Sequence, residues 1–206
     1  MLSGEIGDSK NCIGILSVQG DFPEHASAVK KALRKLGKDY PVIMIRKKED
    51  IEEVTHLILP GGESTSQSIL SNETEDIMAA AVRCSKYKDI RFFGTCAGAI
   101  LLAKEIEILN GESIVKGHGI IDMAISRNAY GSQKDSFEAE LEAVGVGKLL
   151  GVFIRAPAIR KVWGDTDVLA KHGEDIVLVK NRKAIAATFH PELTEDTRLY
   201  ELFITM

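Results

Sequence analysis

Short apolar runs alternate with amphipathic stretches along the chain. Ile13 to Val18 is predicted as a buried strand, with Gln19-Gly20-Asp21 turning out of it. From Pro23 to Leu36 a proline in the first turn and Ala28, Ala32 and Leu36 on one face predict a helix that Gly37 stops. Val42 to Ile45 and Leu57 to Leu59 are the next strands, the second ending at Pro60-Gly61-Gly62. A helical period runs from Glu73 to Ser85, a strand from Arg91 to Gly94, and a helix from Ala97 to Glu105 with almost no loop before it. Later strands are predicted over Gly119 to Ile125, Leu150 to Ile154, Val168 to Lys171, Ile176 to Lys180 and Ala184 to Phe189. A closing helix, Thr194 to Phe203, has Thr194 as its cap.

Strand and helix in alternation imply an α/β fold: a three-layer sandwich, flavodoxin-like, with a mostly parallel central sheet flanked by helices. No repeat, low-complexity segment or linker interrupts the 206 residues. The expected organisation is a polar, flexible leader over 1–11 and one domain over 12–206. Hydrophobic residues make up 45% and charged residues 27%, the balance of an ordinary globular protein. A net charge of -4 argues against a nucleic-acid partner, and no apolar run is long enough to span a membrane. Three cysteines, Cys12, Cys84 and Cys96, without metal-ligand spacing suit a reducing cytoplasm; no metal or cofactor is expected.

Gly94-Thr95-Cys96-Ala97-Gly98 lies between a strand and a helix, the arrangement of a nucleophile elbow. Such a turn puts the sulfur at a helix start, where N–H groups and the helix dipole favour a thiolate, and makes the Ala97 N–H a candidate oxyanion donor. Considered alone, Cys96 is equally an ordinary core cysteine; Cys12 and Cys84 are expected to be structural. The Gly61-Gly62 turn could bring a second oxyanion donor, or be a plain strand-to-helix turn. His190-Pro191-Glu192 follows the last strand. A cysteine nucleophile needs a base, and the base an acceptor to orient it; two residues apart in an extended segment, His190 and Glu192 would point the same way. His and Glu at a strand end are also commonly just solvated. His25, His56, His118 and His172 fall near turns or exposed segments.

In this order the motifs resemble the class I glutamine amidotransferases, and most closely the glutaminase subunits of pyridoxal 5'-phosphate synthase. The narrower match rests on Leu16 to Asp21 with His25, Pro60 to Thr65, Gly94 to Gly98, Ser126 to Gly131, Ser136 to Glu138, Phe153 to Pro157 and Phe189 to Leu193. Ile100, where many other biosynthetic glutaminases carry Gln, sets the chain apart from those relatives. The resemblance covers Ile13 to Phe203. It implies hydrolysis of L-glutamine by a Cys96, His190 and Glu192 triad, with Gly62 and Ala97 forming the oxyanion hole. It also implies a glutamine pocket of Gly61, Gly62, Glu63, Arg127, Ile154 and Arg155. An Arg suits the substrate carboxylate and a Glu its ammonium, although from their sequence setting alone Arg127 and Arg155 are surface salt-bridge formers.

The partner implied is the synthase subunit, with the glutaminase docked on the outside of a ring in a large hetero-oligomer and switched on by docking. Gln19 and His25 would lie at the docking surface or in a plain turn. The reaction classes expected are hydrolase and lyase. Alternatives of the same fold are a glutaminase serving another synthase and a non-catalytic regulatory subunit. Ser132 stands where the family usually has Arg, which puts one contact of that loop in doubt.

Overall fold

A computed structural model describes residues 11–18, 20–61, 72–108, 113–127 and 136–206. The first half runs β1 (Ile13–Leu16), α1 (Phe22–Leu36), β2 (Val42–Ile45), β3 (His56–Leu59), α2 (Asn72–Cys84), β4 (Arg91–Thr95) and α3 (Ala97–Leu102). Then come β5 (Ala103–Ile108), β6 (Ser113–Lys116), β7 (Ile121–Ser126), β8 (Phe137–Ala143) and β9 (Gly147–Phe153). The chain continues through β10 (Ala158–Val162), β11 (Asp167–His172), β12 (Asp175–Lys180), β13 (Ala184–Ala187) and α4 (Arg198–Ile204).

The strands β2-β1-β3-β4-β13 form a parallel core, each pair in continuous register. Burial of β1, β3, β4 and β13 on both faces follows from near-unbroken apolar runs, IGIL in β1 and AIAA in β13 among them. One face packs Leu57, Leu59, Phe92 and Ala186 against Ile77 and Met78 of α2 and Leu101 of α3. The other packs Ile13, Ile58, Phe93 and Ile185 against Val29 and Leu33 of α1 and Tyr200 and Phe203 of α4. Helix–sheet–helix is therefore the three-layer α/β sandwich that the pattern predicts. Helix α1 ends as predicted: Gly37 takes the left-handed conformation at φ 64°, and Lys38 N–H donates to Leu33 O at 3.0 Å.

Beyond β13 the sheet continues through β12, β10, β7, β5 and β6, mostly antiparallel, and β8 with β9 forms a separate hairpin. Strands β5, β6, β8 and β10 have no counterpart in the sequence expectation, and two helices depart from it most clearly. The helix predicted to reach Glu105 stops at Leu102, because Ala103 turns extended and Lys104 to Ile108 alternates polar and apolar as a strand does. The closing helix starts at Arg198, not Thr194; the Thr194 hydroxyl donates to Pro191 O at 3.0 Å and closes a 3-10 turn over Pro191–Leu193.

Candidate active site

The site forms where β1, β3, β4 and β13 end, at the carboxyl edge of the parallel core. β4 delivers Thr95, Cys96 follows it directly, and α3 begins at Ala97. Cys96 stands at φ 47° and ψ -110°, a conformation that L-residues avoid. Its N–H donates to Ala187 O at the end of β13 at 2.8 Å, and its carbonyl accepts from Ala99 N–H at 3.1 Å. The flanking glycines are needed for close approach. A Cβ on Gly98 would lie 1.8 Å from Leu59 O, and one on Gly94 would lie 2.5 Å from Gly98 O. The turn is thus clamped between β3 and β13.

β13 ends at Ala187, two residues before the predicted Phe189, and His190 follows with its N–H donating to Val152 O of β9 at 2.9 Å. His190 Nδ1 and Glu192 Oε1 lie 2.7 Å apart. The pair meets through the 3-10 turn at Pro191–Leu193, not through an extended segment as the sequence suggested. With Nδ1 held by Glu192, Nε2 is the nitrogen left for Cys96. A Cβ placed on Gly61 would lie 2.8 Å from both Cys96 Cβ and His190 Cε1, so the three residues enclose one small space.

The electrostatics follow from that packing. Burial pulls His190 downward, but the hydrogen bonds and charges of Cys96 and Glu192 overcome it and hold the imidazole up at about 10. Burial likewise works against the Glu192 carboxylate. His25 and His190 more than compensate, and Glu192 stays ionised down to about 2. Asp21 Oδ2 lies 3.6 Å from His190 Nδ1, and Asp21 is raised by burial and by the neighbouring Glu192 charge. Asp21, His190 and Glu192 are the group among the described residues with ligand atoms close enough for a metal, all within 4.8 Å. The direct His190–Glu192 bond already engages two of the three.

Of the other predicted site residues, Ile154 places its carbonyl 3.8 Å from Cys96 Sγ. Arg155 follows, exposed and in a left-handed conformation at φ 45°. Arg127 stands just beyond β7, whose Ser126 pairs with Ala158 of β10, so both arginines sit at neighbouring strand ends. Gly61 is anchored at both ends of its residue: its N–H donates to Thr95 Oγ1 at 3.2 Å and its carbonyl accepts from Asp21 N–H at 3.4 Å. Gly62, Glu63, Gln19, Ser132 and the Asn128 to Gly131 stretch lie outside the described residues, as does nearly all of the 1–11 leader.

His25 corrects the sequence reading. It is no docking-surface residue: its side chain is 0% exposed, on the inner face of α1. His25 Nε2 lies 3.1 Å from Thr95 Oγ1 and 3.5 Å from Glu192 Oε1, and its Nδ1 lies 2.9 Å from the Tyr200 hydroxyl. The available signal was helical spacing, since His25 shares the face of Ala28 and Ala32. His56 is also buried, on β3, rather than near an exposed turn. Cys12 and Cys84 are buried and form no disulfide, and the Cys84 sulfur lies 3.0 Å from the Tyr87 hydroxyl.

Residues 15–206 match the SNO glutamine amidotransferase family. The chain belongs to that family. It is 43% identical over 197 residues, 96% of this chain and 98% of the relative, to a Thermus thermophilus protein named "Pyridoxal 5'-phosphate synthase subunit PdxT". A protein of the same name from Sulfurisphaera tokodaii is 39% identical over 94% of this chain and 98% of its own length. A solved structure described as a glutamine amidotransferase superposes with a TM-score of 0.77 at 43% identity, covering 95% of this chain and 98% of that one.

Membership corrects one expectation. The lyase class has no support, because the match is to glutamine amidotransferases and points to a hydrolase-type glutaminase. No helix among the described residues is long and apolar enough to cross a membrane.

Proposed function

We propose that this chain is the glutaminase subunit of a pyridoxal 5'-phosphate synthase, working as a single domain over 12–206 in the cytoplasm. It hydrolyses L-glutamine and hands the ammonia to the synthase subunit. The observation that carries the reading is the strained Cys96 elbow facing a His190 that Glu192 holds at 2.7 Å. The names of the relatives supply the destination of the ammonia.

In the mechanism, the Cys96 thiolate attacks the side-chain amide carbon of glutamine, forming a C–S bond. The tetrahedral oxyanion is held by N–H groups of Ala97 and Gly62. His190, held protonated by Glu192, gives its proton to the departing nitrogen; the C–N bond breaks and ammonia leaves a γ-glutamyl thioester. His190, now neutral, takes a proton from water, whose oxygen attacks the thioester and releases glutamate and the thiolate. Gly61 and Ile154 line the substrate's approach through their backbones, while Glu63, Arg127 and Arg155 bind its ammonium and carboxylate. The synthase subunit forms a ring with the glutaminase docked on its outside, and docking completes the oxyanion hole.

Ammonia release from glutamine, measured with and without the synthase subunit, tests the reading. Turnover should rise on adding the synthase and vanish in Cys96→Ala, which should still fold. Retained turnover in Cys96→Ala would remove Cys96 from the mechanism. No turnover by the wild type under either condition would favour a regulatory subunit.

A further inference from the structure

A histidine with no exposed surface lies against the carboxylate that orients the base, and the hydrolysis above does not use it. We infer that His25 is a positioning residue for the glutaminase reaction, tying Glu192 to the Gly61 strand end through Thr95. The inference rests on the triad reading proposed above.

The hydrogen-bonding inventory dictates how this linkage is polarised. Tyr200 is fully buried, and burial together with the Glu192 charge raises its hydroxyl well above the ordinary range, so it remains a neutral phenol that can donate or accept. Its partner is His25 Nδ1 at 2.9 Å; the other ring nitrogen, Nε2, faces the ionised Glu192 carboxylate, which can only accept, so Nε2 carries a ring proton. That N–H faces two oxygens, Thr95 Oγ1 at 3.1 Å and Glu192 Oε1 at 3.5 Å. Glu192 Oε1 is the same oxygen that meets His190 Nδ1 at 2.7 Å, so one carboxylate oxygen lies between two imidazoles. Thr95 Oγ1 in turn accepts the Gly61 N–H at 3.2 Å.

One buried ring from α1 therefore touches both halves of the site. On one side it holds the acceptor that orients His190, and on the other it holds the threonine that fixes the strand end before Gly62. Tyr200 comes from α4, 175 residues away, and holds the ring from its Nδ1 edge. The groups facing Glu192 are His25 from α1, His190 from its own turn, Asp21 from the loop after β1, and Tyr200 from α4. His25 adds a donor on the side opposite His190. Positioning partners of this kind commonly matter by ~10- to 100-fold in activity when removed.

The test compares His25→Gln, His25→Asn, His25→Leu and Tyr200→Phe in the full chain. Gln places a side-chain N–H near the Nε2 position, Asn is too short to reach it, and Leu fills similar space with no polar group. Turnover is measured with the synthase subunit, and Cys96 alkylation by iodoacetamide is followed against pH in the chain alone. Asn and Leu should lower kcat about 10- to 100-fold with KM for glutamine nearly unchanged. They should also move the onset of Cys96 alkylation to higher pH, because a less well-held Glu192 stabilises the His190 imidazolium less. Gln should recover most of the loss, and Tyr200→Phe should fall between.

A packing role alone would make the losses follow thermal stability rather than the reach of the nitrogen. Equal effects of Gln and Asn, or an alkylation profile unmoved in Asn and Tyr200→Phe, would overturn the inference. A variant that fails to fold leaves the others to decide. If Cys96→Ala retained turnover, the triad reading would fall and take this inference with it. A wild type that behaves as proposed beside an inert His25 series would sink the inference alone.

Discussion

At the scale of single residues, the site is built from backbone strain and from a shared carboxylate. Cys96 at φ 47° and ψ -110° holds a conformation that costs roughly 1–3 kcal/mol in an L-residue. Glycine takes such a conformation freely, although it adds about 0.5–1 kcal/mol of backbone entropy in the unfolded chain. Cys96→Gly should therefore unfold at a higher temperature than Cys96→Ala, which keeps the strain, while both lack turnover. Thermal denaturation of the two variants side by side checks this, and equal midpoints would mean that the turn is not strained. Gly61 offers the converse change. A Cβ there would meet Cys96 Cβ and His190 Cε1 at 2.8 Å each, and side chains on both sides can shift. Gly61→Ala should fold, yet lose most of its kcat because the sulfur and the imidazole are pushed apart; wild-type turnover would contradict the packing described.

At the scale of elements, the parallel core and the site at its edge were legible because each of their signals is local. The apolar run of β1, the Gly37 stop and the G-x-C-x-G turn all sit within a few residues, and each reports its own geometry. The His190–Glu192 pair was legible from its spacing, although the contact is made by a 3-10 turn and not by a strand. Legibility failed where an apolar run carried one period into another. Ala97 to Ala103 is continuously apolar, so only the alternation after Ala103 marks the change to β5. It failed too for contacts between distant parts of the chain: nothing near His25 in sequence announces Thr95, Glu192 or Tyr200. The element junction also carries a prediction. Helix α3 can start where it does only because Gly98 lies against β3, where a Cβ would approach Leu59 O to 1.8 Å and Leu59 C to 2.6 Å. Backbone cannot yield as a flexible side chain does, so Gly98→Ala should cost about 3 kcal/mol or more in a urea titration. A change under ~1 kcal/mol would show that α3 slides without penalty.

At the scale of the whole molecule, burial of three titratable groups couples stability to pH, each over its own range. His56 lies in the sheet on β3, with Thr55 Oγ1 at 2.9 Å from its Nδ1, Phe203 of α4 edge-on at 5.3 Å, and Nε2 buried without a partner. Burial, then the positive charges of Arg91 and Lys38, lowers it from 6.5 to about 4, against a small opposing pull from Asp89. Between those values the unfolded chain takes up a proton that the folded chain refuses. Stability from neutral His56 is therefore complete above pH 6.5 and drains away as pH falls toward 4, by on the order of 3 kcal/mol. Glu192 acts lower down: its folded value near 2 lies below the ordinary 4.5, so its contribution is present above pH 4.5 and is lost as pH falls from there toward 2. His190 has the opposite sign, stabilising fully below 6.5 and progressively less as pH rises toward 10. His56→Leu isolates the first window, because it leaves Glu192 and His190 in place. Its stability relative to wild type, from urea unfolding at several pH values, should improve steadily from pH 6.5 to 4 and stay level above 6.5. Parallel curves across that range would mean that the sheet accepts a charged imidazole at His56.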